Sequence, residues 1–422
     1  MRMVRESSEA MQRRRRVVLL DPNANTPPYD RALAAGLARA GYDVVLATSR
    51  FLYEELPTPA GYRIDELFFR LVGGEVGRRL GLRSGKAGRA RARRLFKAAE
   101  YPLDWALLLR RLGRHRPDAL HVQWSVLPSL DVRMWRRVQA LGIPIVYTAH
   151  NLAPHDGAPR DSEAYGRLYR AADAVIVHSA RSKAAVTGQW DIESYRVHVA
   201  PHGPLLEDDA ELGRATARAR LGLPLGAPIV LFAGLIEPYK GLDDLIQAFA
   251  TIANELPTAR LAIAGKPNVP IEHVENAIAE LGLRERVTID ARFLPQSEFA
   301  AYLCAADVVA LPYRDATSSG LFHAARRFGK AIVVTAVGDM AELVVDGESG
   351  LLVPPRDPIA LASALYRVLS DAALAGRLGH ASRRAMHAAG GWDVAAQRTM
   401  SAYDAAIGSL AARTRDGRMA SG

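Results

Sequence analysis

The chain has 422 residues, 49% hydrophobic and 24% charged, enough for two or three cored domains and too apolar for a disordered or collagen-like polymer. Its one cysteine, Cys304, excludes a disulfide scaffold and a cysteine-rich metal cage and fits a reducing, cytoplasmic compartment. The net charge of +10 is uneven, with 33 basic against 20 acidic residues in 1–200 and 22 against 25 in 201–422, so the first half is expected to face an anionic partner.

The charged N-terminus (MRMVRESSEAMQRRRR) lacks an apolar continuation, and no run of about 18 apolar residues occurs, so neither a secretory signal nor a spanning helix is expected. Short β-branched runs then alternate with helical patterns, as in parallel sheets whose strands are joined by crossover helices. In the first half the expected strands are 17–21, 43–48, 119–124, 144–149, 174–179 and 196–200, with a helix at 30–41 stopped by Gly41. The stretch 78–97 (RRLGLRSGKAGRARARRLFK) concentrates positive charge, and Lys86, Arg89, Arg93 and Lys97 recur at helical spacing as one cationic stripe. Such a stripe suits phosphate or lipid headgroups, at about 1 kcal/mol per cation near an anionic leaflet, and equally suits plain solvent. Phe96 is its one aromatic residue, too few for a base-stacking platform, so an anionic membrane surface is favoured and nucleic acid is not expected as a partner.

A polar, Pro/Gly-rich seam at 201–227 separates an N-terminal domain, 1–203, from a C-terminal domain, 204–391. The second half repeats the pattern, with strands at 228–234, 259–265, 286–291, 307–312, 330–335 and 350–354 and helices at 242–255, 271–282, 296–305, 320–328 and 357–371. An α/β fold of two Rossmann-like, doubly wound parallel sheets follows, and a terminal helix within 392–410 is expected to cross back onto the first domain. Ligands of open parallel sheets bind beyond the carboxyl ends of the strands, so two such domains facing each other would line a cleft with their loops.

No G-x-G-x-x-G follows a strand, and G-x-x-x-x-G-K-[ST], H-E-x-x-H and D-x-D are absent, which removes support for dinucleotide oxidoreductases, P-loop enzymes, zincins and D-x-D metal sites. The first positive signal is GLIEPYKG (234–241), between an apolar strand and a helical run. A strand-end glycine lets a ligand approach the backbone, the helix start offers N–H groups to an anion, and Lys240 adds a full charge. A solvated cap is the plainer reading of the same residues. The second signal is ATSSG (316–320), which reads either as an anion nest of backbone amides or as an ordinary N-cap on Ser318 or Ser319.

In order along the chain, PPYDRALAAGLARAGYDVVLAT, RPDALHVQW, IVYTAHNLAPHD, AADAVIVHSARSK, VAPHGP, FAGLIEPYKGLDDLIQAF, LAIAGKP, AADVVALPY, FGKAIVVTAVGDMAELV and GGWDVAAQRTMSAY resemble the GT-B glycosyltransferases, in particular the retaining family-four type, glycosyltransferase group 1. The resemblance implies a nucleotide-diphosphate-sugar donor, UDP- or GDP-linked, on the C-terminal domain and a lipid-linked or saccharide acceptor on the N-terminal one, with no metal requirement and no cofactor. Exopolysaccharide or glycolipid assembly, on the inner face of the cell membrane, is the expected setting. It further implies that Lys240 contacts the donor diphosphate with Gly234, Glu237, Tyr239 and Gly241 around it, and that Gly265, Phe293 and Leu294 hold the nucleoside. His150 of TAHN, which alone reads as structural, is placed near the donor sugar. Tyr29, Gln123, Trp124 and Asn151, on N-domain strand-end loops, are candidates to touch the acceptor.

The chain departs from that pattern in two places. Leu235 stands where the G-R-L-x-x-x-K-G stretch has arginine, and the Glu-x7-Glu pair aligns with Ala316 and Ala324. Thr317, Ser319 and Gly320 are expected as replacement contacts, with Glu342 as a ribose ligand. If the reaction inverts, a general base is required, and Asp30 and Asp156 are the carboxylates in place, Asp30 being as well explained as a helix cap. A sugar-nucleotide epimerase or phosphorylase of the same fold, and a non-catalytic nucleotide-sugar-binding module, remain alternatives.

Overall fold

The computed structural model describes residues 14–79, 87–153, 159–206 and 211–419. These residues build two units. One comprises the described residues up to Ala153, 159–201 and Trp392 onward, and the other comprises those of His202–Gly391. The first holds a parallel sheet of seven strands, β1 (Arg16–Asp21), β2 (Asp43–Ser49), β3 (Arg63–Phe68), β4 (Ala119–Val122), β5 (Ile145–Thr148), β6 (Ala174–Val177) and β7 (Val197–Val199), in the order 3-2-1-4-5-6-7. The second holds six parallel strands, β8 (Ile229–Ala233), β9 (Arg260–Ala264), β10 (Val287–Asp290), β11 (Val308–Leu311), β12 (Ala331–Thr335) and β13 (Leu351–Val353), in the order 10-9-8-11-12-13.

Central strands such as β8 (IVLFA) and β12 (AIVVT) are apolar or β-branched throughout and buried throughout, because helices cover both faces of a parallel sheet. The helix Leu242–Glu255 shows the complementary pattern: Leu245, Ile246, Phe249 and Ile252 recur at helical spacing and are buried, while Asp243 and Asp244 sit in the first turn, where the dipole favours negative charge. The strand absent from the sequence reading is β3, an edge strand whose residues RIDELF alternate weakly and stay partly exposed.

The helix Gly391–Met419 belongs to the first unit from Trp392 on. It packs on the helix Pro27–Arg39 at Gly36, where a β-carbon would lie 3.1 Å from the Trp392 carbonyl oxygen and 3.3 Å from the Ala396 β-carbon. Ala402, Tyr403 and Ala406 are fully buried. The surface pairs Arg39–Asp393 and Arg15–Asp404 flank this contact, each worth under about 1 kcal/mol, so burial holds the helix in place.

Candidate functional site

Each sheet reverses its winding direction once, beside β8 in the second unit and beside β1 in the first, and Gly234, Lys240, Asp30 and Tyr29 follow the strands at these two switch points, whereas Phe293 and Leu294 follow the edge strand β10 and Glu342 follows β12.

In the second unit, β8 ends at Gly234 (φ +98°) and β9 at Gly265 (φ +148°), and a β-carbon on Gly265 would meet the Gly234 carbonyl oxygen at 1.9 Å. The two strand ends touch backbone to backbone, which only glycine permits. The turn Pro238–Lys240 folds back over this point, bringing the Lys240 ammonium within 3.5 Å of where a Gly234 β-carbon would be. Burial draws the Lys240 pKa down to about 8, against the opposing pull of Glu237. Nζ also lies 5.8 Å from the ring centre of buried Tyr313.

The turn is clamped from below by residues the sequence reading missed. Arg314 donates two hydrogen bonds to Asp244, at 2.7 and 2.8 Å, and its backbone amide bonds the Tyr239 carbonyl at 2.7 Å. Gly241 (φ +68°) presses on the Pro312 carbonyl, which a β-carbon would approach to 2.0 Å. Arg314 follows β11 in sequence and Asp244 opens a helix, so the signal was the basic residue after one strand and the acidic helix start after another.

Beyond β11, the Tyr313 hydroxyl bonds Ser319 Oγ at 2.9 Å, and Ser319 Oγ accepts from the Phe322 amide at 3.3 Å as N-cap of the helix Gly320–Arg327. The Thr317 carbonyl accepts the Asp339 amide at 2.7 Å. Ser319 is thus the cap of this helix start, whose first amides belong to the turn that follows β11. Glu237 is held by Asn268, Glu342 is exposed, and Phe293 is half-buried. The Leu294 side chain lies in the core.

In the first unit, Asp21 closes β1 and receives the backbone amides of Asn23, Asn25 and Thr26. Fully buried Asp30 hydrogen-bonds to it, and burial together with the Asp21 charge pushes Asp30 well above the usual carboxyl range. Burial raises Asp21 as well, but its three amides and Asp30 draw it back, so of the two carboxyls Asp30 is pushed the further up. Asp30 is therefore a buried structural carboxyl beside Asp21 and Thr26, and the expectation that it serves as a base is revised because no acceptor can reach it in this conformation. Thr26 Oγ1, 3.4 Å from Asp30, accepts from Trp124 Nε1 at 2.9 Å.

Trp124 stacks face to face on His150, with ring centres 4.9 Å apart and planes 11° from parallel. The Tyr29 ring abuts His150 edge-on at 4.6 Å and Trp392 at 5.0 Å. His150 Nε2 lies 3.0 Å from Gln123 Oε1. Tyr29 and Gln123 are buried, so both support His150 instead of meeting an acceptor directly, which revises their expected role. Trp124, His150 and Asn151 keep partly open surfaces.

The cationic stripe is also revised. Lys86 and the Arg89 side chain lie outside the described residues, as does Asp156. Lys97 turns inward, its ammonium 2.9 Å from Asn23 Oδ1 and 4.3 Å from the Phe69 ring centre. Burial and neighbouring Arg93 lower its pKa, and it makes no carboxylate ion pair among the described residues. The helix Ala87–Arg114 instead exposes Leu95, Phe96, Leu103 and Leu107, amid arginines.

Comparisons with known proteins show the family and the fold. The family model for Glycosyl transferases group 1 matches residues 227–371, and that for Glycosyltransferase Family 4 matches 29–204. The chain is 32% identical over 327 residues to a D-inositol 3-phosphate glycosyltransferase of Streptomyces avermitilis, covering 71% of this chain and 68% of that one. A Streptomyces coelicolor protein of the same name is 31% identical over 339 residues, covering 71% and 72%. Among solved structures, a sucrose-phosphate synthase from Thermosynechococcus elongatus matches with TM-score 0.70 at 23% identity, over 93% of this chain and 98% of that one. Anabaena HepE in complex with UDP and glucose matches with TM-score 0.66 at 16% identity, over 92% and 98%.

Proposed function

Because the chain belongs to the group 1, family 4 glycosyltransferases, we propose that it moves a hexose from a UDP- or GDP-sugar to the hydroxyl of an anionic acceptor, a phosphorylated sugar or polyol or its lipid-linked counterpart. The observation that carries the donor reading is the Lys240 ammonium poised over the glycine-lined strand ends. A diphosphate there would meet one cation, with the turn before Gly320 following the neighbouring strand β11. That cation supplies the negative-charge stabilisation needed as the anomeric C–O bond breaks.

The acceptor reading is supported by the names of the relatives and similar structures, which specify inositol 3-phosphate and sucrose-phosphate, and by Lys97, a cation hydrogen-bonded to Asn23 beside the β1 loop. With Asp30 buried, the chemistry we favour is retention: the acceptor oxygen attacks on the face the diphosphate leaves, and its proton passes to the departing phosphate oxygen. His150 would orient the sugar and the Lys240 ammonium would steady the leaving group.

Membrane association is a separate element of the proposal. No single described helix is long and apolar enough to cross a membrane, but exposed Phe96, Leu103 and Leu107 beside Arg93 and Arg110 suit docking on an anionic leaflet.

The test is a thermal-shift screen of UDP, GDP, ADP and their sugars, followed by nucleotide release with phosphorylated and plain acceptors. A ligand at about 100 times its Kd adds roughly 2.7 kcal/mol of stability. Stabilisation by a UDP- or GDP-sugar and acceptor-dependent release support the reading. Absence of any nucleotide-induced shift overturns it.

A further inference from the structure

Gln123 lies between two histidines of the first unit, His150 and His121. It has no exposed surface, so both ends of its amide must be satisfied by protein. One end lies 3.0 Å from His150 Nε2, and the other lies 3.3 and 3.5 Å from the two ring nitrogens of His121. Nearly equal distances to both nitrogens place that end over the imidazole face, away from either lone pair. The ring nitrogens already have nearer partners: Nδ1 is 2.9 Å from the Tyr403 hydroxyl and Nε2 is 2.7 Å from Thr148 Oγ1.

Burial drops the His121 pKa to about 3, so the ring is neutral and its face electron-rich. An amide NH2 is attracted to such a face and a carbonyl oxygen is repelled by it. The Gln123 carbonyl must therefore point at His150, where it can only accept. Trp124 on one face of His150 and Tyr29 at its edge fix the ring plane in which that acceptor is read.

We infer that Gln123 is a positioning residue that keeps a proton on Nε2 of His150, its own amide being aimed by His121, which Thr148 and Tyr403 of the C-terminal helix hold in place. The helix that begins at Gly391 is thereby a working part of the site, since only the His121 and Gln123 side chains stand between its Tyr403 and His150. The kinetic consequence rests on the reading that His150 faces the donor sugar. The tautomer assignment does not.

The experiment is long-range 1H–15N correlation NMR of the imidazoles in the full-length chain, with kinetics on the same samples. Wild-type His150 is expected as the Nε2–H tautomer. Gln123→Met, of similar volume but without an acceptor, is expected to lose that preference and about tenfold in kcat with donor KM within twofold. Gln123→Glu restores an acceptor, so it is expected to keep Nε2–H, recover most of kcat and raise the His150 titration by about one pH unit through its charge. Tyr403→Phe should give an intermediate loss. A wild-type Nδ1–H tautomer, or a Gln123→Met protein unchanged in both tautomer and kcat, overturns the inference. Loss of the tautomer with kcat unchanged supports it and instead overturns the placement of His150 beside the sugar.

Discussion

The Lys240 ammonium rests 3.5 Å from the position a Gly234 side chain would occupy, so the one positive charge of the GLIEPYKG turn is held over the end of the central strand β8. At about 4 Å and an effective dielectric near 20, a charge pair is worth roughly 4 kcal/mol before desolvation. Lys240→Met is accordingly expected to lower kcat by about two to three decades with the melting transition preserved. The ammonium is charged below about 8 and neutral above it, so kcat/KM should decline as pH rises through that value. Wild-type turnover in the variant would remove Lys240 from the mechanism.

Asp30 gives the opposite kind of prediction. Its folded pKa is raised, so its contribution to stability is complete below the unfolded carboxyl value and is lost as pH rises toward the folded one. Asp30→Asn, which cannot ionise, should remove that dependence and be at least as stable as wild type at pH 8. Activity should stay within a few-fold. Chemical denaturation at pH 5 and pH 8 and a single kinetic assay check both points, and a hundredfold loss of kcat would restore Asp30 as a base.

Lys97 is expected to discriminate acceptors. A charge-assisted hydrogen bond contributes about 1.5–3 kcal/mol, so Lys97→Gln should raise KM at least tenfold for a phosphorylated acceptor and less than twofold for its unphosphorylated form. Equal effects on the two would show that Lys97 serves only to hold Asn23.

Membrane docking is checked by sedimentation with vesicles containing anionic lipid. Binding is expected at low salt and to weaken at high salt, and Phe96→Ser with Leu103→Ser should abolish it while leaving activity on a water-soluble acceptor intact. Equal partitioning with neutral and anionic vesicles would reduce this face to a solubility feature.

Much of this was legible in the chain because the relevant signals are local. Strands such as IVLFA and AIVVT announce themselves by continuous β-branched or apolar runs, and the strand-end glycines and Lys240 follow them directly. β3 escaped because an edge strand needs no such run. The roles of Tyr29, Gln123 and Asp30 were illegible for a different reason. Their burial is imposed by distant segments, Trp392 and Tyr403 among them, and no short window carries that information. Lys97 likewise shares its helical spacing with Arg93 but turns inward, because Asn23 and Phe69 wait there.

The seat of Trp392 and Ala396 on Gly36 sets an order of events during synthesis. Residues 202–391 leave the ribosome as an uninterrupted stretch and can close as a unit on their own, whereas the portion made earliest must hold Gly36, Tyr29 and His121 uncovered until the tail emerges. The lobe that is born first is therefore finished last, and premature termination anywhere before Trp392 would deprive it of its cover.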